Sequence, residues 1–286
     1  MRRLLILVVV LVLIAGCTMK ATYNRLDWIA AKYIGSYVEL TQEQQKVLRR
    51  QLAETLEWHR TTQLPAYAEW LARLQQDIPT SLSIDQVDEY GLELWVFWRS
   101  LMMRLADDMA VLLPRLTAEQ RQTIFSRLER EHSVQKDEVA AVNLEKQQEH
   151  YVRRLEKGLS RWLGSLTEEQ NRLIREAANQ LQATESESLR IRVRFQHSIR
   201  ALLERQANEE ELRTALRSLL MNDTGHPNDV YEQKSESNRQ VLTRLISELS
   251  STLDKGQQEY IGQRINKYIR LFKDLARQGN QPLKQS

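Results

Sequence analysis

Apolar side chains recur at intervals of three and four along almost the whole chain, the spacing of helices that bury one stripe and wet the other. From Tyr23, the series Leu26, Ile29, Ala30, Tyr33, Ile34 and Tyr37 predicts a first helix that Gly35-Ser36 weakens at its end. Thr41 opens a second helix, with Val47, Leu48, Leu52, Leu56 and Trp58 on its apolar face. Pro65 has no N–H and crowds the turn before it, so a break or kink is expected there. The pattern resumes through Tyr67, Trp70, Leu71 and Leu74 to Asp77-Ile78-Pro79. Ser83 with Gln86 is placed to cap a third helix, which runs to Leu113. Beyond Pro114 the stretch from Thr117 to Leu163 has apolar ends, but its middle, Glu129 to His150, is thinly apolar and suited to bending, looping or projecting into solvent. Gly164-Ser165 closes it, and Thr167 starts a long helix reaching about Met221. Residues 222–228, Asn-Asp-Thr-Gly-His-Pro-Asn, read as a loop. Helices from Asp229 to Ser251 and from Asp254 to Arg277 follow, then a polar tail.

Residues 189–196, Leu-Arg-Ile-Arg-Val-Arg-Phe-Gln, alternate in the manner of a strand. No second such run exists to pair with it, and an unpaired strand leaves its backbone groups unsatisfied. A helix with apolar residues on two sides, wedged between neighbours, is therefore expected. The fold class is all-α, an elongated bundle of long antiparallel helices with a compact aromatic-rich part near the N-terminus. The divisions expected are a leader over 1–16, a tether over 17–22, an aromatic-rich helical subdomain over 23–115, a long-helix bundle over 116–277 and a flexible tail over 278–286. Trp28, Trp58, Trp70, Trp95 and Trp98 all precede residue 100, which places the densest core in the first subdomain.

One pentad, Leu-Thr-x-Glu-Gln, recurs at Leu40–Gln44, Leu116–Gln120 and Leu166–Gln170, with a degenerate copy at Leu253–Gln257. It has the form of a capping box. The side chain of Thr41, Thr117 or Thr167 accepts from an N–H of the first turn, and Gln44, Gln120 or Gln170 reaches back to the cap's own N–H. Seven residues after each cap stands Leu48, Ile124, Ile174 or Ile261, so each copy sets its helix in one rotational phase. The motif also resembles the repeated L-T-x-x-Q of the Spy and CpxP family of periplasmic helical proteins. That resemblance implies binding of unfolded clients or modulation of an envelope stress sensor.

Composition agrees with long helices. Nine glycines and five prolines in 286 residues leave little material for turns. Arg2-Arg3, the apolar run Leu4 to Ile14 and the small pair Ala15-Gly16 before the single cysteine, Cys17, have the layout of a secretory leader, too short to span a bilayer. The small-small-Cys ending resembles the bacterial lipobox, in which the thiol is acylated with palmitate-type chains and the chain is cut before it. Thr18 stands where Asp would signal retention in the inner membrane, which implies the periplasmic face of the outer membrane. Without the leader's two arginines, the excess of 41 basic over 38 acidic side chains falls to one. That balance carries no electrostatic footprint for nucleic acid.

The lipobox, Tyr23-Asn24 with Leu26-Asp27-Trp28, Trp58-His59-Arg60 with Leu64-Pro65-Ala66-Tyr67, and the run Arg161–Gln170 together resemble an uncharacterised family of Gram-negative envelope lipoproteins. The resemblance implies an α-helical lipoprotein and brings no catalytic residue with it.

Candidate chemistry is sparse. The five histidines fall in no ligand spacing, no glycine-rich phosphate loop or nucleophile elbow occurs, and neither a metal nor a cofactor is expected. The most site-like group is Asp27, Trp58, His59, Arg60 and Tyr67 near Pro65. Within it, His59 and Arg60 suit an anionic glycan or lipid phosphate, unless Asp27 simply pairs with Arg60. The basic run Arg190 to Arg205 has Glu185, Glu187 and Glu204 nearby, which favours an ion-paired helix surface. The function expected is a non-enzymatic binding or scaffolding role in the envelope, anchored to the membrane through Cys17, with envelope proteins or unfolded clients as partners. A Spy-like chaperone or stress accessory is the alternative, and a hydrolase of envelope polymers a more distant one. In the chaperone reading the helices after Pro114 form a partly exposed client-binding arm.

Overall fold

The computed structural model describes residues 16–140, 143–220 and 230–279. Among these residues the chain is all-α, with no strand. The expected leader as far as Ala15, the whole of the loop at 222–228 and most of the tail lie outside the described residues. Two compact units divide the chain: residues 1–73 with 263–286, and residues 74–262. This division differs from the one expected at residue 115. Within the first unit Tyr67 and Phe272 meet edge-on at 6.0 Å, a long-range contact that no local pattern reveals.

The first unit contains α1 (Gly16–Tyr23), α2 (Leu26–Tyr37), α3 (Gln42–Trp58), α4 (Leu64–Asp77) as far as Arg73, and α12 (Lys255–Gly279) from Gln263. The expected tether at 17–22 is instead part of α1, and Met19 within it is only 6% exposed. Burying an apolar side chain this early gives the segment a reason to order. Thr41 opens α3 with a complete capping box: its N–H donates to Gln44 Oε1 at 2.9 Å, and Gln44 N–H donates to its Oγ1 at 3.3 Å. Leu48, Leu64, Ala68, Leu71, Ile265 and Leu275 are buried in this unit.

Pro65 neither breaks the chain nor leaves it straight. The turn before it, His59–Gln63, widens to a π-helix, closed by Leu64 N–H donating to the His59 carbonyl. A proline cannot donate to the carbonyl four residues back, and a wider turn accommodates the missing bond. Threonine hydroxyls supply extra donors here: Thr61 to the Glu57 carbonyl at 2.8 Å, and Thr62 to the Trp58 carbonyl at 2.6 Å.

The second unit holds α5 (Ile84–Leu112), α6 (Ala118–Ala140), α7 (Leu144–Leu163), α8 (Glu168–Gln180), α9 (Glu185–Glu204), α10 (Glu209–Leu220) and α11 (Val230–Ser251). α5 packs on α10 and α11, α6 on α9, and α8 on both α7 and α11. Two apolar clusters follow from this pairing. Ala106 and Ala110 of α5 let α10 approach closely, with Leu212 and Leu216 fully buried against them. Ile174 of α8 meets Leu245 and Leu249 of α11, with Leu155 and Leu159 of α7 alongside. The helices after Pro114 thus spend much of their apolar stripe on one another.

The single helix expected from Thr167 to about Met221 is three helices. After α8 the chain runs extended at Leu181. Its bare backbone is satisfied from α11: Asn238 accepts from Gln182 N–H and donates to its carbonyl, both at 2.8 Å, and Lys234 donates to the Ala183 carbonyl at 3.0 Å. α9 ends in a Schellman turn. Gln206 takes φ of 57°, while Ala207 N–H donates to the Leu202 carbonyl and Gln206 N–H to that of Leu203. Asn208 and Glu211 then form a reciprocal cap for α10. Residues 189–196 lie in α9 as a helix. The thinly apolar stretch after Glu129 is interrupted at Asn143, which is extended and whose Oδ1 accepts from Lys146 N–H to start α7.

No compact tryptophan core forms. Trp28 is 60% and Trp95 49% exposed, and Trp58, Trp70 and Trp98 are half-buried. The deepest positions are taken by Ile, Leu and Ala, which fit between close helices, whereas an indole is large and carries an N–H that needs a partner.

Candidate functional site

The π turn gathers most of the residues singled out around Pro65. His59 leaves it toward α1, where its Nδ1 and the Tyr23 hydroxyl share a hydrogen bond of 2.7 Å. The ring also meets Tyr67 edge-on at 5.6 Å and Trp58 at 6.4 Å. Arg60 lies over the Tyr23 ring at 5.4 Å and donates to Asn24 Oδ1 at 3.1 Å. Asp27 is not among these contacts and has no hydrogen bond or ion pair among the described residues, so Arg60 pairs with Asn24 instead. Tyr23, Asn24 and Phe272 complete the group. They stand too far away in sequence for the run around Pro65 to have pointed to them.

Burial sets the protonation of the group. Burial, with the Arg60 charge second, lowers His59 to about 4, so the imidazole is neutral at physiological pH. Tyr67 is pushed up to about 12 by burial, and Tyr23 is raised well above the usual phenol range by the same cause. An imidazole of such low basicity, with one nitrogen already bonded, is a weak proton acceptor at neutral pH. The chemistry available is that of a structural clasp: neutral donors and acceptors, tilted and edge-on rings and one guanidinium joining α1 to the π turn.

The three full copies of the pentad form complete capping boxes, whereas in the degenerate copy Asp254 accepts from Gln257 N–H at 2.7 Å and the Gln257 side chain turns elsewhere. Thr117 and Gln120 exchange bonds of 2.9 and 3.2 Å, and Thr167 and Gln170 bonds of 3.1 and 3.2 Å. Ser83 and Gln86 do the same at the start of α5. Two copies of the pentad also interlock. Gln170, fully buried, donates to Gln257 Oε1 at 2.8 Å, and Gln257 donates back to Gln170 Oε1 at 3.0 Å. Gln257 also donates to the Ser165 carbonyl at 2.9 Å, and Gln170 to Thr252 Oγ1 at 3.2 Å. The glutamine thus caps its own helix and ties two helix starts together.

The basic run of α9 is laced with carboxylates: Arg190 with Glu187, Arg200 with Glu129 and Glu204, Arg205 with Glu211. An open cleft of 570 Å³ between α7 and α8 is lined by Arg153, Lys157, Ser165, Asn171 and Arg175, among others. Among the described residues no three His, Cys, Asp or Glu side chains are placed to hold a metal ion, and no helix is long and apolar enough to cross a membrane. Cys17 lies within α1.

No curated protein and no solved structure matches the chain. The sequence pattern of a family of unknown function, DUF6279, matches residues 36–232, a span that takes in the π turn and the three full copies of the pentad. The chain belongs to that family, the family of unknown function DUF6279.

Proposed function

We propose that the protein is a lipoprotein of the outer membrane, facing the periplasm, that binds or scaffolds envelope components rather than catalysing a reaction. The observation that carries this reading is the leader itself: two arginines, an eleven-residue apolar run and Ala15-Gly16 immediately before the chain's single cysteine. Acyl chains on that cysteine hold the protein at the membrane, each buried CH₂ contributing about 0.8 kcal/mol. The non-catalytic part is supported by the clasp at His59, where the side chains best suited to acid–base work are engaged with one another. Fractionation of envelopes tests the reading. Wild type should sediment with outer membranes, Cys17→Ala should remain an unprocessed precursor, and Thr18→Asp should move the protein to the inner membrane. Equal distribution of all three would reject it.

One observation favours a second reading, a Spy-like chaperone. The first half of α5 exposes Leu92 at 61%, with Trp95 and Val96 on the same side of the helix. An apolar surface of this kind suits unfolded segments. The chain lacking residues 1–16 should then slow aggregation of a denatured client, and Leu92→Ser with Trp95→Ser should abolish the effect. No protection by the unsubstituted chain rejects the chaperone and leaves the scaffold.

A further inference from the structure

We propose that α2 is a membrane-contacting helix, with Trp28 and its flanking cations Arg25 and Lys32 set into the headgroup layer of the leaflet that holds acylated Cys17; this rests on the lipid-anchor reading above. A lipoprotein with a long flexible tether can stand away from its membrane, but here the folded body starts almost at the anchor. Only Thr18 separates Cys17 from buried Met19, and two residues reach about 7 Å at full extension. The rest of α1 is fastened as well: Lys20 pairs with Asp274 at 3.7 Å, and Tyr23 bonds to His59 at 2.7 Å. Some face of this unit must therefore lie against the bilayer.

The nearest exposed face is that of α2. No residue of this helix is buried. Trp28, the most exposed tryptophan, follows Cys17 by only eleven residues, across the turn at Asn24-Arg25 that joins α1 to α2. Lys32 stands one turn after it with its Nζ 5.2 Å from the Trp28 ring centre, and Arg25 is exposed at the start of the helix, three residues before it. Neither cation has a carboxylate partner among the described residues, unlike most arginines of α9 and α10. Asp27, the one acid of α2, lies about 100° round the helix from Trp28. An indole with a polar edge, flanked by two unneutralised cations, matches the interfacial zone of a phospholipid leaflet, where rings sit at headgroup depth and Arg and Lys meet phosphates.

The test supplies its own anchor. A chain beginning at Cys17, its only cysteine, is coupled through that thiol to a maleimide phospholipid in vesicles of phosphatidylethanolamine and phosphatidylglycerol containing brominated lipid. Tryptophan emission should be quenched, and Trp28→Phe should lose most of the quenching although the other five tryptophans remain. Arg25→Glu with Lys32→Glu should weaken the quenching while Trp28 is kept. Quenching that is absent, or equal in wild type and Trp28→Phe, overturns the proposal. So does a concentration-dependent blue shift of Trp28 without bromine quenching, which would mark a second copy as the occupant. Failure of the natural anchor is read separately, as missing fatty-acid label on Cys17 in cells, so the two failures are told apart.

Discussion

Replacing Gln170 by Ala should cost far more than the same change at Gln120, although both occupy the last position of the same pentad. At Gln120 the side chain accepts from Thr117 N–H at 2.9 Å, in a half-exposed place where water can take over. Its loss is worth about 0.5–1.5 kcal/mol, the net value of an ordinary hydrogen bond. Gln170 is 0% exposed. Truncating it leaves Thr167 N–H and one face of the Gln257 amide without partners, in a space too enclosed for free solvation. Orphaned buried groups cost about 1–3 kcal/mol each, so the total should reach about 3–5 kcal/mol. Urea unfolding followed by circular dichroism gives the two losses. Hydrogen exchange at the starts of α8 and α12 locates the second, and should show both starts opening together in Gln170→Ala. Equal midpoints for the two variants would refute the clamp and leave the glutamines as caps alone.

Further outcomes follow from single residues. Gly164 ends α7 at φ of 75° and ψ of −133°, where a side chain is strained although a Cβ would meet only the Tyr260 ring at 3.8 Å. Gly164→Ala should therefore cost about 1–3 kcal/mol in urea melts, a conformational loss without a clash. Thr117→Ala should cost about 0.5–2 kcal/mol while Thr117→Asp is nearly neutral, since a carboxylate accepts the same bond at the positive helix end. If Asp proves as damaging as Ala in thermal melts, the pentad is not acting as a cap. His59 has a folded pKa of about 4 against 6.5 for a free imidazole. As pH falls from 6.5 to 4 the unfolded chain takes up this proton and the folded one does not, so stability is lost across that window, by about 3 kcal/mol. His59→Gln should flatten this part of the stability–pH curve. Parallel curves for variant and wild type would contradict the buried neutral imidazole.

The parts of this fold that are local in origin could be read from sequence. Thr41, Ser83, Thr117 and Thr167, each with its Gln three positions on, start helices where expected, because a capping box needs nothing beyond its own first turn. The wedged helix at 189–196 was likewise readable, because a lone strand has no partner. What escaped depends on distance. The break after α8 carries no glycine or proline, and its backbone groups are met by Asn238 and Lys234, more than fifty residues on. The turn at Gln206 puts a residue other than glycine in the left-handed region, which pattern alone does not suggest. Tryptophan counts named the aromatic part of the chain but could not tell which indoles would find a neighbour, and Trp28 and Trp95 did not become core. Around Pro65, the nearness of His59, Arg60 and Tyr67 in sequence was informative, but Arg60 turned to Asn24 rather than to Asp27.

The account's central claim, a chain held to the membrane through Cys17, is tested most directly by growing cells with an alkyne fatty acid and comparing wild type with Cys17→Ala. The account predicts label on the wild-type protein, cleaved to begin at Cys17, and none on the variant, which keeps its leader. Equal label on both, or none on either, would contradict it.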